Sequence, residues 1–150
     1  MPTYSRSSKA DEMPDSLGTI EGLTSLRSSF GPKATMDRLD AEIRAKGLNV
    51  FARIDHAAGA AEAGLALRPT ELIIFGNARG GTPLMQSVQT VGIDLPLKAL
   101  VWQDAANRTW LSYNEPNWIV QRHGVADAEP VVRKMTDLLN AITATVAGHQ

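Results

Sequence analysis

Between Pro69 and Trp118 the chain leaves little freedom in how it can fold. Pro69-Thr-Glu-Leu-Ile-Ile-Phe-Gly-Asn77 is an apolar run that stops on a glycine and an amide. Arg79-Gly-Gly-Thr-Pro-Leu-Met85 follows, and the stretch closes on Tyr113-Asn-Glu-Pro-Asn-Trp118. Glu71 to Phe75 reads as a strand covered on both faces, because its apolar run is almost unbroken. Gly80-Gly81 reads as a tight turn. Thr82 then serves as N-cap, and Pro83 sits in the first turn of a helix that packs through Leu84, Met85 and Val88. A strand that gives way to glycines and exposed amides builds a shaped edge.

The flanking segments supply the rest of the architecture. Residues 18–29, with Ile20, Leu23 and Leu26, read as a first strand with imperfect alternation. Pro32 starts a helix whose Met36, Leu39 and Ile43 recur at helical spacing, and Lys46-Gly47 ends it. Asn49 to Asp55 alternates as a strand, with Val50, Ala52 and Ile54 on one side. His56 to Leu67 reads as an Ala-rich helix lying close to the sheet, weakened by Gly59 and Gly64. Leu97 to Gln103 and Thr109 to Tyr113 form a hairpin across Asp104-Ala-Ala-Asn-Arg108. Glu129-Pro130 opens a final helix with Val131, Met135, Leu138, Ile142 and Val146 on one stripe, ended by Gly148. The expected fold is α+β: two layers, one mixed sheet with helices packed on it, in a single domain spanning residues 17–150.

Composition narrows the functional classes. Fifteen basic and sixteen acidic residues give a formal charge of −1, with no Lys/Arg cluster, so neither nucleic acid nor an acidic membrane is an expected partner. With no cysteine, disulfides, thiolate catalysis and Cys-based zinc sites are excluded. Residues 1–16 are polar and read as a flexible tail. They carry no apolar run of the secretory kind, and a cytoplasmic location is expected.

Phe75-Gly-Asn77, Gly81-Thr-Pro-Leu-Met85, Asp94-Leu-Pro-Leu97 and Tyr113 occur in an order that resembles domain-of-unknown-function family 302. Asp55-His56, in front of the Ala-rich helix, is similar to that family as well. The resemblance spans residues 18–148. It implies a two-layer α+β domain, often a homodimer, and no established activity. The family usually places a proline after the Asn; Ala78 stands there in this chain, which would loosen the backbone.

Chemistry-bearing residues are few. Asp55 beside His56 could orient an imidazole base, so the pair is the catalytic candidate for proton transfer; the alternative is an Asp N-cap followed by a first-turn His. His56, His123 and His149 show no metal-ligand spacing, and no metal site is expected. His123, after Arg122, reads as an exposed helix-end residue. Arg53 and Glu71 are placed to form an ion pair across neighbouring strands. Asn77, Arg79, Gly80, Gly81 and Thr82 form an anion-capable turn, since helix N-termini offer free N–H groups to phosphate or carboxylate. Asn77 could equally tie its own loop. Trp102, Trp110, Tyr113 and Trp118 could wall a pocket or a dimer seam, and Tyr113 joins the ligand-binding candidates.

The residues favour a soluble small-ligand-binding protein whose ligand could be anionic, and the resemblance implies that it is a homodimer. A hydrolase or isomerase using Asp55 and His56 is one alternative, and a structural or assembly protein is another. No cofactor is indicated.

Overall fold

The apolar alternation of the strands is satisfied by one antiparallel sheet with helices on a single face. The computed structural model describes residues 20–148, so the tail expected at 1–16 lies outside the described residues. The elements in chain order are β1 (Leu23–Ser28), α1 (Pro32–Ala45), β2 (Asn49–Asp55), α2 (His56–Glu62) and β3 (Thr70–Gly76). Then come α3 (Ala78–Ser87), a 3₁₀ turn (Gln89–Asp94), β4 (Leu97–Gln103), β5 (Thr109–Asn114), α4 (Pro116–His123) and α5 (Glu129–Ala147). Strand order is β1-β5-β4-β3-β2. The expected single α+β domain is present, but the sheet is not mixed: every strand pairing is antiparallel.

Sequence periodicity explains which face is buried. Ile73 pairs with Ala99, Ala99 with Tyr113, and Val101 with Leu111, so these side chains share one face. That face meets Met36, Leu39 and Ile43 of α1 and Leu139, Ile142 and Val146 of α5, all at most 1% exposed. Burying each such side chain contributes about 1.5–3 kcal/mol. Leu72, Ile74, Leu100 and Trp102 point the other way and are only partly buried. The expectation that β3 is fully covered on both faces is therefore corrected. Its unbroken apolar run combines one core face with one half-buried face.

The edges depart from expectation in length. β1 starts at Leu23, and Ile20 before it is 60% exposed. α2 stops at Glu62 because Gly64 takes a left-handed φ of +78°. α2 touches β3, but none of its residues is buried, so its small side chains add nothing to the core. On β2, Arg53 pairs side by side with Glu71 at 2.9 and 3.1 Å, as the strand alternation anticipates. Asp40 of α1 adds a third contact at 3.2 Å, tying that helix to the edge strand.

The β4–β5 hairpin turns around one carboxylate. Asp104 Oδ1 accepts from the backbone N–H groups of Ala106 and Arg108, and its Oδ2 accepts from Arg108 Nε and Trp110 Nε1. Asn107 takes the left-handed φ of +64° that closes the turn. Burial raises the Asp104 pKa, but the bonds from Trp110 and Arg108 outweigh it, and the carboxyl is held below its ordinary value. A depressed carboxylate adds stability above its unfolded pKa of about 4 and loses it as pH falls through the folded value. Asp104→Ala is expected to cost about 1–3 kcal/mol in urea unfolding at pH 7, with the difference from wild type shrinking below about pH 4.

Candidate functional site

Where β3 leaves the sheet, Gly76 takes a φ of +150°, a conformation that L side chains rarely adopt. Asn77 follows in extended conformation, and its Oδ1 accepts from Gly80 N at 2.9 Å. Asn77 is thus the N-cap of α3. The expectation of a Gly80-Gly81 turn capped by Thr82 is corrected: helix begins at Ala78, and Pro83 lies inside it. Asn is among the strongest N-caps, so the signal was present in Asn77 itself. Ala78 is helical, and the loosened loop expected there does not occur.

Against the start of α3 lies a cavity of about 260 Å³. Asn77, Gly80, Gly81, Thr82 and Met85 form its α3 side, and Leu95, Pro96 and Leu97 form the wall leading into β4. Met135 and Leu138 of α5 and Leu48 and Phe51 near the β2 edge complete it. Its polar side chains are those of Asn77 and Thr82, and none of its lining side chains is charged. Four ligand-binding candidates, Asn77, Gly80, Gly81 and Thr82, therefore meet in one place. Arg79 is exposed and does not line the cavity. Tyr113 is 6% exposed, and its hydroxyl donates to Asn140 Oδ1 at 3.2 Å. Burial pushes the Tyr113 pKa up, and the ring belongs to the core rather than to the cavity.

The aromatic segment splits between the two faces of the sheet. Trp102 and Trp110 stack with ring centres 6.1 Å apart on the face opposite Tyr113. Trp118 belongs to α4, with the Arg122 guanidinium 5.8 Å from its ring centre. These rings form no common wall with Asn77.

Asp55 and His56 stand elsewhere. Asp55 Oδ1 accepts from Ala58 N at 2.9 Å as the N-cap of α2, and His56 is exposed. In the β2–β3 register Asp55 faces Glu71, whereas Asn49 faces Gly76. Asp55 and Asn77 thus lie at opposite ends of β3, roughly 20 Å apart by strand rise. A wide groove near Asp55 is lined by Lys33, Arg53 and Glu71, of which Arg53 and Glu71 already bond to each other. His56 lines neither the groove nor the cavity. Among the described residues no group of three or more His, Asp or Glu could hold a metal ion.

One cluster escaped sequence reasoning. His123 is not an exposed helix end: its side chain is 9% exposed, and Nε2 lies 2.6 Å from Asp94 Oδ2. Its Nδ1 lies 3.0 Å from Thr90 Oγ1, and Arg122 Nη1 contacts both Asp94 oxygens at 3.0 and 2.8 Å. Burial raises the Asp94 pKa, but the bond from His123 and the Arg122 charge outweigh it and hold the carboxyl below its ordinary value. With the imidazole neutral, Nε2–H donates to the carboxylate and Nδ1 accepts from the threonine. Asp94 immediately precedes Leu95, so the cluster anchors that cavity wall to the end of α4. The Gly124 cap after Arg122-His123 marked the helix end, but nothing in the spacing joined it to Asp94.

The model of the family described as "Domain of unknown function DUF302" matches residues 24–142. The chain belongs to the DUF302 family. A crystal structure titled as an uncharacterized conserved DUF302 protein from Bacillus stearothermophilus superposes with a TM-score of 0.75 at 19% identity. It covers 85% of this chain and 99% of its own, a likeness of fold. Two curated relatives are named fluoride-specific ion channel FluC 1, from Brucella suis and Brucella abortus. Each is 44% identical over 128 residues, covering 85% of this chain. The chain spans about half the length of these relatives, 50% and 47%. No described helix of the present chain is long and apolar enough to cross a membrane.

Two variants separate the roles of Asn77. Asn77→Ala removes the α3 cap and is expected to cost about 1 kcal/mol in denaturant unfolding, whereas Asn77→Asp keeps the cap and stays within about 0.5 kcal/mol of wild type.

Proposed function

We propose that this DUF302 domain is a small-molecule-binding domain whose ligand sits in the cavity at the N-terminal end of α3. The observation that carries this reading is the pair Gly80-Gly81. Glycine inside a helix costs up to about 1 kcal/mol relative to alanine. Neither residue has a positive φ. An added Cβ at Gly80 would lie 3.5 Å from Asn77 Oδ1 and 3.9 Å from Met135 Cε. At Gly81 it would lie 3.4 Å from Leu95 Cδ1 and 3.7 Å from Met85 Cε. These are ordinary contact distances, so packing does not demand bare backbone there. Open space in the cavity is what the glycines provide.

The test is native mass spectrometry of freshly purified protein. Wild type is expected to carry extra mass that leaves under denaturing conditions. The Gly80→Ala/Gly81→Ala variant is expected to lose it while gaining up to about 2 kcal/mol of stability. A variant that is destabilised and still carries the same passenger would give the glycines a structural role and remove the basis of the reading.

The Brucella relatives favour a second, compatible reading: the domain works beside a fluoride-conducting channel. A pore needs helices of about 20 apolar residues. We therefore assign the conducting role of those relatives to the half that this chain does not match. On this reading, joining the domain to a FluC-type channel changes fluoride flux from loaded vesicles when the cavity ligand is added. Flux identical with and without the domain would end it. The homodimer implied by the family remains part of the proposal. Edge strand β2 exposes Phe51 and Ile54, at 55% and 40%, as a surface for it, and sedimentation velocity reads it directly.

A further inference from the structure

The composition of the cavity says more than that something binds. Its larger side chains are leucines, methionines and one phenylalanine, and no charged group lines it. An ion moved into such a site gives up part of its hydration and meets no charged side chain, which is unfavourable. The cation expected to receive an anion, Arg79, is not among the lining residues. Of the two polar side chains, Asn77 has its Oδ1 engaged with Gly80 N, and its amide donor remains for a ligand. The Thr82 hydroxyl can donate or accept.

Volume sets the size. An apolar cavity of about 150 Å³ holds one benzene ring, so the 260 Å³ here suits roughly ten non-hydrogen atoms. Met85 and Met135 flank the glycines, and methionine adapts its shape to differing apolar bodies without a fixed rotamer. Phe51, 55% exposed, provides an apolar surface at the rim.

From these observations, and resting on the binding reading above, we infer that the ligand is an uncharged amphipathic molecule. Its apolar body, either a medium-length alkyl chain or a fused two-ring aromatic, fills the space between Met85, Met135 and Leu138. A single hydroxyl or carbonyl meets the Asn77 amide and Thr82. This replaces the anionic ligand that the glycine turn suggested.

The experiment is a fluorescence titration of the intact chain with the neutral two-ring fluorophore 2-naphthol as the dye, whose eleven non-hydrogen atoms match the cavity. Competition by 1-decanol, decanoate and inorganic phosphate follows at pH 7. Saturable dye binding is expected, with displacement by decanol, about tenfold weaker displacement by decanoate, and none by phosphate. Leu138→Gln, confirmed folded by circular dichroism, is expected to weaken the dye about tenfold. Decanoate competing as well as decanol would overturn the uncharged ligand while leaving the binding reading in place. Saturable dye binding unchanged in both Leu138→Gln and Gly80→Ala/Gly81→Ala would place the dye elsewhere and overturn the assignment of this cavity. Absence of saturable binding by any probe would bring down the binding reading itself. Dye binding that tracks self-association would overturn the small molecule in favour of a second copy as occupant.

Discussion

The apolar layer between α1, α5 and one face of the sheet decides where every other feature can lie. Met36, Leu39 and Ile43 from one helix and Leu139, Ile142 and Val146 from the other close over β3, β4 and β5. The two helices cover the middle of the sheet, and the layer thins where β3 ends at Gly76. There α3 must complete the cover, yet it offers glycines at 80 and 81 instead of bulky side chains. The cavity is the region in which α5 supplies Met135 and Leu138 while α3 supplies Thr82 and Met85 beside two bare glycines. Its position follows from the length of β3 and the angle at which Gly76 releases the chain.

Polar side chains act mainly as ties between elements that the apolar layer leaves loose. Arg53 joins edge strand β2 to β3 through Glu71 and to α1 through Asp40, and bonding to Glu71 holds its pKa above the ordinary value. Asp104 folds the hairpin back on itself. Asp94 gathers Arg122 and His123 and so fastens the 3₁₀ turn to α4. In each case one group bonds to several partners at once, which fixes direction as well as distance. These ties also account for most of the groups that first look like chemistry. Asp55, the carboxylate half of the catalytic candidate, is spent on capping α2.

The sequence was most legible where one physical rule acted alone. Met36, Leu39 and Ile43 kept helical spacing, and β2 and the hairpin kept strand alternation, so their positions matched closely. Asn77, Gly80, Gly81 and Thr82 were recognised as belonging together, and they do meet. Misreadings arose where two rules competed. At Asn77 to Pro83 the glycines and proline argue for a turn, but the asparagine cap and the neighbouring walls hold a helix. On β3 an apolar run suggested two covered faces, although only Ile73 and Phe75 reach the core. The Asp94–His123 contact joins residues 29 positions apart, and no local pattern encodes a pairing of that kind. The walls of the cavity were hidden from the sequence for the same reason. Arg79 is adjacent in sequence but turned away, and the walls from α5 and β2 come from distant parts of the chain.

The weak composition of α3 has a dynamic consequence. A ten-residue helix with two adjacent glycines and an internal proline has little intrinsic reason to persist. Pro83 removes the donor that Arg79 O would otherwise receive, so the first turn leans on the Asn77 cap and on whatever fills the space beneath it. This segment should open well before the core does, with its amides exchanging with solvent through local excursions rather than global unfolding. An occupant of the cavity would suppress those excursions. In this way the domain could convert the presence of a small molecule into the order of a single exposed helix, without any displacement of the sheet.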